Sequence, residues 1–264
     1  MILTKRHYLA IAVCTLSLMA CGGNKDGAQS SEQAATPNAT VDLANGATIT
    51  GTITADGAAP APQKYPTAGD AHCKSVHPDG VLDGRWIINN GKVANAFIYI
   101  KDGLGNKVYA PPADVITVDQ KGCIYYPRVF GAVIGQKVKF VNSDQTLHNV
   151  HSHAEVNAMF NYPQQSGSEP RVVSFDKQEI MVPIMCDVHG WMKSYAGVLP
   201  HPFFAVSDSN GQYAIKGIPP GEYTIECWHE PSDTKSEKKP VVTTQKITVA
   251  AKESKTLDFT IKPE

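Results

Sequence analysis

The chain carries no excess charge of either sign, since 24 Lys and Arg stand against 25 Asp and Glu in 264 residues. It also lacks a basic run, which excludes nucleic acid as a partner. Beyond the first twenty residues, no apolar stretch is long enough for a membrane-spanning helix. Large apolar side chains are almost missing from Gly22 to Gly46, where Gly, Asn, Ser, Gln, Ala and Thr prevail. Such a segment cannot bury enough surface to offset the entropy of folding, and residues 21–46 read as a flexible leash.

At the start, Lys5 and Arg6 precede an apolar run from Tyr8 to Ala20 that is too short to cross a bilayer. This pattern predicts a secretory leader over 1–20. Its end, Leu18-Met-Ala-Cys21, resembles the lipobox of bacterial lipoproteins. That resemblance implies a lipid anchor at Cys21 and a place on the periplasmic side of a bacterial membrane. Gly22, where some bacteria read a retention signal from aspartate, leans towards the outer membrane.

The remaining ~220 residues suffice for one large β domain or two small ones. Within them, one seven-residue stretch, Cys186-Asp-Val-His-Gly-Trp-Met192, carries a thiol, an imidazole and a thioether. A further imidazole, His148, stands beside Asn149 at the end of a strand-like run. Thiolate and imidazole form a soft set that copper favours in both oxidation states, and a thioether can tune the potential from the axis. Calcium or magnesium would want oxygen donors. Zinc is the rival metal, because it accepts Cys and His and would leave Met192 a bystander.

The order of segments extends the pattern. Val115 to Asp119, Cys123-Ile-Tyr-Tyr-Pro127, Gly135 to Asn142 and Leu147 to Val150 lead to His148; Ile180 to Met185 leads into Cys186, and Ala196 to Leu199 follows. About a third of the chain thereby resembles the cupredoxins, the plastocyanin and amicyanin group in particular. The resemblance implies a Greek-key β-sandwich or barrel over 101–200. It makes His148, Cys186 and His189 the strong copper ligands and Met192 the axial one. Asn149 would tie the two ligand segments together and bond near the sulfur. Val188, Trp191 and Met192 would shield the metal, and either form a docking patch beside His189 or simply pack the end of the fold.

Downstream, Asn210-Gly211 and Pro219-Pro-Gly221 are turn signals between short alternating strands. This stretch resembles the carboxypeptidase regulatory-like, transthyretin-like β-sandwich. Ile49 to Gly57, Ala94 to Ile100, Gln245 to Val249 and Thr256 to Lys262 fit the same plan. The chain is therefore expected to be all-β, with a second small antiparallel sandwich from 47–100 and 201–264 split by the copper unit. The rival layout gives the early strands to an enlarged copper domain. Pro60 to Trp86 is expected to be a long surface loop.

Six cysteines need separate accounts. With Cys14 in the leader, Cys21 lipidated and Cys186 a ligand, Cys73, Cys123 and Cys227 remain. Cys73 and Cys123 either pair or stay as buried thiols, and Cys227 on an alternating strand reads as core filling. His72, His77 and Cys73 form a further cluster of metal-binding types without a familiar spacing. His151 and His153 are expected to face solvent, with capture of copper before delivery as their alternative role.

A Cys-His-His-Met set leaves no open position for a substrate, unlike catalytic metal sites. The expectation is a non-enzymatic carrier of single electrons between redox protein partners. Copper storage or delivery, and a metal-stabilised adhesion or scaffold protein, are the alternatives.

Overall fold

A computed structural model describes residues 39–232 and 239–263. The leader, Cys21 and most of the 21–46 segment lie outside the described residues. The described part is built from strands, with one short helix, Ala71–Val76. None of its helices is long and apolar enough to cross a membrane. Residues 39–46 are tied down. Asp42 folds a turn by accepting the amides of Ala44 and Asn45 at 3.0 Å, and Ala39 bonds to Val108 at 3.1 Å.

Two pairs of sheets organise the described residues, and among these no sheet closes into a barrel. In the first pair, Ala47–Ala55 lies beside Gln212–Ile218 in antiparallel register, with Ile49 opposite Ile215. Its other edge receives Ser254–Thr256 and Phe259–Ile261 in parallel. The companion sheet runs Phe204–Val206, Phe97–Asp102, Gly221–His229, Val241–Val249. Ile49, Ile53, Ile98, Ile100, Ile215 and Ile225 meet in one core between these sheets. Alternation explains the pattern. In Gln212–Ile218, Tyr213 and Ile215 point inward while Gln212, Ala214 and Lys216 face solvent. Cys227 is fully buried in this core, as expected of core filling. Chain segments from before residue 103 and after residue 202 thus share both sheets.

The intervening chain builds the second pair. One sheet runs Arg171–Val173, Val138–Asn142, Ile116–Gln120, Tyr125–Tyr126. The other runs Asn161–Gln164, His148–Ser152, Glu179–Met185, Lys193–Leu199, Val129–Val133. Val118, Phe140, Val150, Ile184 and Val198 fill the space between them. Parallel pairing of Val138–Asn142 with Ile116–Gln120, and of Lys193–Leu199 with Val129–Val133, shows that neighbouring strands are joined by crossovers as well as hairpins.

A third cluster joins the two sandwiches: Phe97, Tyr99 and Trp228 from the first pack on Val129, Met181, Tyr195 and Leu199 from the second. Close approach there requires glycine. A Cβ on Gly131 would lie 2.2 Å from the Phe204 ring, and one on Gly197 would lie 2.4 Å from the Phe97 ring. Gly131→Ala is therefore expected to destabilise the protein by about 1–3 kcal/mol, the usual cost of overpacking. Urea denaturation monitored by circular dichroism reads this directly; an unchanged midpoint would remove the close-packing argument.

Candidate metal centre

The strands bring the four sequence-predicted residues to one end of the second sandwich. His148 opens the strand His148–Ser152, and Cys186 directly follows the adjacent antiparallel strand Glu179–Met185. His189 and Met192 occupy the turn after Cys186. That turn is closed by two backbone bonds, from Cys186 N to Met192 O at 3.3 Å and from Met192 N to His189 O at 2.9 Å. Burial is nearly complete: relative exposure is 0% for His148, 2% for Cys186, 3% for His189 and 1% for Met192.

His148 Nδ1 and His189 Nδ1 lie 3.0 Å apart, and His189 Nδ1 is 3.8 Å from Cys186 Sγ. One donor atom from each of His148, Cys186 and His189 falls within 4.8 Å of the others. Metal–ligand bonds of ~2.0–2.3 Å place donors of a common ion roughly 3–4 Å apart, so this separation suits one metal ion. Met192 belongs to the same apolar cluster as Cys186.

Each imidazole turns its other nitrogen to a carboxylate. His148 Nε2 donates to Asp144 Oδ2 at 2.9 Å, and His189 Nε2 stands 3.4 Å from Asp70 Oδ2. This arrangement fixes ring orientation and strengthens the nitrogen facing the centre. Asp144 is itself anchored, accepting the amides of Gly122 and Cys123 at 2.7 Å each and His72 Nε2 at 3.1 Å. Asp70 caps the helix Ala71–Val76 by accepting Cys73 N at 2.8 Å, and it accepts Thr146 Oγ1 at 2.5 Å. Asn149 fulfils its expected linking role: its amide donates to Cys186 Sγ at 3.4 Å, and its Oδ1 accepts Asp187 N at 3.1 Å.

Electrostatics follow from these contacts. Burial alone would raise the Cys186 thiol, but hydrogen bonds from His148, His189 and the Asn149 amide outweigh it and hold the pKa near about 6. Burial alone would lower His148, yet Asp144 and the Cys186 sulfur raise it to about 9. Asp144 is held far below the carboxylate range: burial opposes this, and the bonds from His148, Cys123 and Gly122 prevail.

In the metal-free protein the two opposite shifts offset one another. Cys186, lowered on folding, adds stability that is lost as pH falls through about 6. His148, raised on folding, adds stability that is lost as pH rises from its unfolded value of ~6.5 through about 9. Between ~6.5 and ~8.5 the folded state binds one proton on His148 and releases one from Cys186, so net uptake is close to zero. Metal-free wild type is expected to keep a nearly flat unfolding midpoint across that window, while Cys186→Ser loses stability as pH rises. Parallel slopes for the two proteins in urea titrations at several pH values would refute the coupling.

Residues 60–86 do not form the long surface loop expected of them. They contain the strands Lys64–Tyr65 and Val81–Leu82 and the helix Ala71–Val76, and they lie against the centre. A Cys73–Cys123 disulfide spans 50 residues and anchors the helix. It places Cys73 Sγ 3.8 Å from His189 Nε2. The sequence leaves this pairing open; the structure closes it. Of the two roles weighed for Val188, Trp191 and Met192, packing describes the latter two. Met192 is buried, and Trp191 donates its indole N–H to Cys123 O at 2.8 Å and packs near Tyr65. Val188 alone of the three is exposed, at 51%.

His72, His77 and Cys73 do not assemble with one another. His72 bonds to Asp144, His77 Nε2 donates to Gly122 O at 2.7 Å, and Cys73 is in the disulfide. His151 is only half-buried and pairs with Asp187.

Several solved structures align with about a third of the chain. A copper-containing nitrite reductase from Thermus scotoductus SA-01 aligns at 25% identity and TM-score 0.31 over 38% of this chain, which spans only 25% of that protein. A purple cupredoxin from Nitrosopumilus maritimus aligns at 19% identity and TM-score 0.27, covering 31% of this chain and 98% of its own. A point mutant of amicyanin in its reduced Cu(I) form aligns at 24% identity and TM-score 0.30, covering 34% of this chain and 91% of its own. No family model and no curated protein matches. The case for a metal therefore stands on the donor atoms themselves.

Proposed function

We propose that this chain is a copper protein that carries single electrons between redox protein partners, tethered by lipid at Cys21 to the periplasmic side of a bacterial membrane, with the outer membrane favoured. One observation carries the reading: donor atoms of a thiol and two imidazoles, all buried, lie within 4.8 Å of one another while carboxylates hold the far side of both rings. Copper held by His148, Cys186 and His189, with Met192 as the axial thioether, would supply a one-electron couple whose potential the thioether tunes.

The residues themselves supply rigidity and exclusion of water. Asp144 and Asp70 fix the rings, the Asn149 amide steadies the sulfur, and the closed Cys186–Met192 turn fixes the spacing of three donors. Little has to move when charge changes at the centre. All four donors are buried, and a site with four donors keeps no vacant position of the kind catalytic metals use, which supports a carrier over an enzyme. The same burial disfavours ready release to a competitor, and so disfavours storage or delivery. The first sandwich, assembled from both ends of the described chain, brings no comparable buried cluster of thiol and imidazoles among the described residues, and its proposed part is to position the copper unit or contact a partner.

Electrochemistry of the copper-loaded protein tests this. A reversible one-electron wave that shifts to lower potential in Met192→Gln supports the carrier. Absence of a reversible wave, or copper lost at once to a chelator, contradicts it.

A further inference from the structure

Directly after Cys186, the chain turns Asp187 outward, away from the buried donors and toward two other histidines. His151 Nδ1 lies 3.0 and 3.1 Å from the two oxygens of Asp187. The His151 and His153 rings are 4.1 Å apart between centroids. One donor atom from each of the three residues falls within 4.8 Å of the others.

The cluster is held from outside as well as by its own contacts. Asn161 Nδ2 donates to Asp187 Oδ2 at 3.1 Å, and the Asp187 amide is fixed by Asn149 Oδ1. The His153 amide donates to Pro183 O at 2.8 Å. Meanwhile His153 Nε2 is buried and has no hydrogen-bond partner. A buried ring nitrogen without a partner calls for a reason, and a bound ion is one. His153 also lines a surface depression of about 580 Å³ with Glu155 and Gln178.

We propose that His151, His153 and Asp187 form a second, surface site for a divalent first-row transition-metal cation. Two imidazoles and a carboxylate make a nitrogen and oxygen set, for which Cu(II) is the strongest binder of that series and Zn(II) the next practical probe. This site shares no donor atom with the buried centre, yet Asp187 and Cys186 are neighbours in sequence. Two metal ions would therefore sit on either side of one peptide bond, one shielded and one open to solvent.

Titration of the metal-free full-length chain with Cu(II) chloride, followed by visible and paramagnetic resonance spectra, tests the proposal. Two equivalents are expected: one strongly coloured through Cys186, the other nearly colourless with nitrogen hyperfine structure. In His151→Asn/His153→Asn the colourless equivalent should weaken by ~10-fold or more while the coloured one remains, which also certifies the fold. Zn(II) binding by Cys186→Ser should follow the same pattern, with one equivalent retained until the two histidines are replaced. Uptake of the coloured equivalent alone by wild type, or an undiminished second equivalent in the double variant, would overturn the surface site. Loss of colour in wild type, with a colourless equivalent still sensitive to His151 and His153, would uphold it and sink the buried copper centre instead.

Discussion

Cys186→Ser is expected to abolish the intense visible absorption of the copper-loaded protein completely. That absorption requires charge transfer from a thiolate to Cu(II), and Cys186 is the only free cysteine in the cluster of His148 and His189. A serine hydroxyl is harder, stays protonated near neutral pH and offers no comparable transition. The replacement is close in size and still accepts the Asn149 amide, so the fold should survive with a change near ~1 kcal/mol. Loss of colour with an intact circular dichroism spectrum would assign the sulfur as ligand. Retention of the full band in the serine variant would remove Cys186 from the centre.

The second large effect is expected from Cys73→Ser/Cys123→Ser. Opening a loop of 50 residues removes a constraint on the unfolded chain worth about 2–4 kcal/mol. Here the cost should exceed simple chain entropy, because the bridge fixes the helix that carries Asp70 and covers His189. Without it, Asp70 keeps its contacts to Thr146, Thr67 and the helix cap but loses the covalent tie of that helix to Cys123. Lower thermal stability together with faster exchange of metal at the centre is the expected result. If the double variant lost stability but kept wild-type exchange kinetics, the helix would be a structural staple with no part in shielding His189.

Legibility in the sequence differs from residue to residue. Three of the four proposed donors lie within seven residues, so their proximity needs only a turn between two strands. His148 is readable through the family resemblance of its His-Asn pair after a strand-like run, although it opens the strand His148–Ser152 instead of ending one. The strands themselves are visible as alternation and turn signals, which is why the all-β class emerges directly, although the sheets stay open where a barrel was an option.

The carboxylates are not legible. Asp144 precedes His148 by four residues in a polar stretch, and nothing local distinguishes it from Asp119 or Asp176. Asp70 is far from His189 in sequence, and only tertiary structure brings them to 3.4 Å. The helix Ala71–Val76 has six residues, too few to show a helical period in a segment rich in Pro and Gly. Its Asp70 cap three residues before Cys73 is the available signal. With only a loop readable there, docking and packing stay open for Trp191, whereas its indole is committed to the Cys123 carbonyl. Long-range pairing through a disulfide likewise leaves no trace in local pattern.

The most direct test of the central claim is paramagnetic resonance of the Cu(II)-loaded His151→Asn/His153→Asn protein, recorded with its visible spectrum. Convergence of Cys186, His148 and His189 on one copper predicts a strong charge-transfer band with a compressed parallel hyperfine splitting, both lost in His148→Ala. A pale protein with the wide splitting of ordinary tetragonal Cu(II), unaffected by His148→Ala, would contradict it.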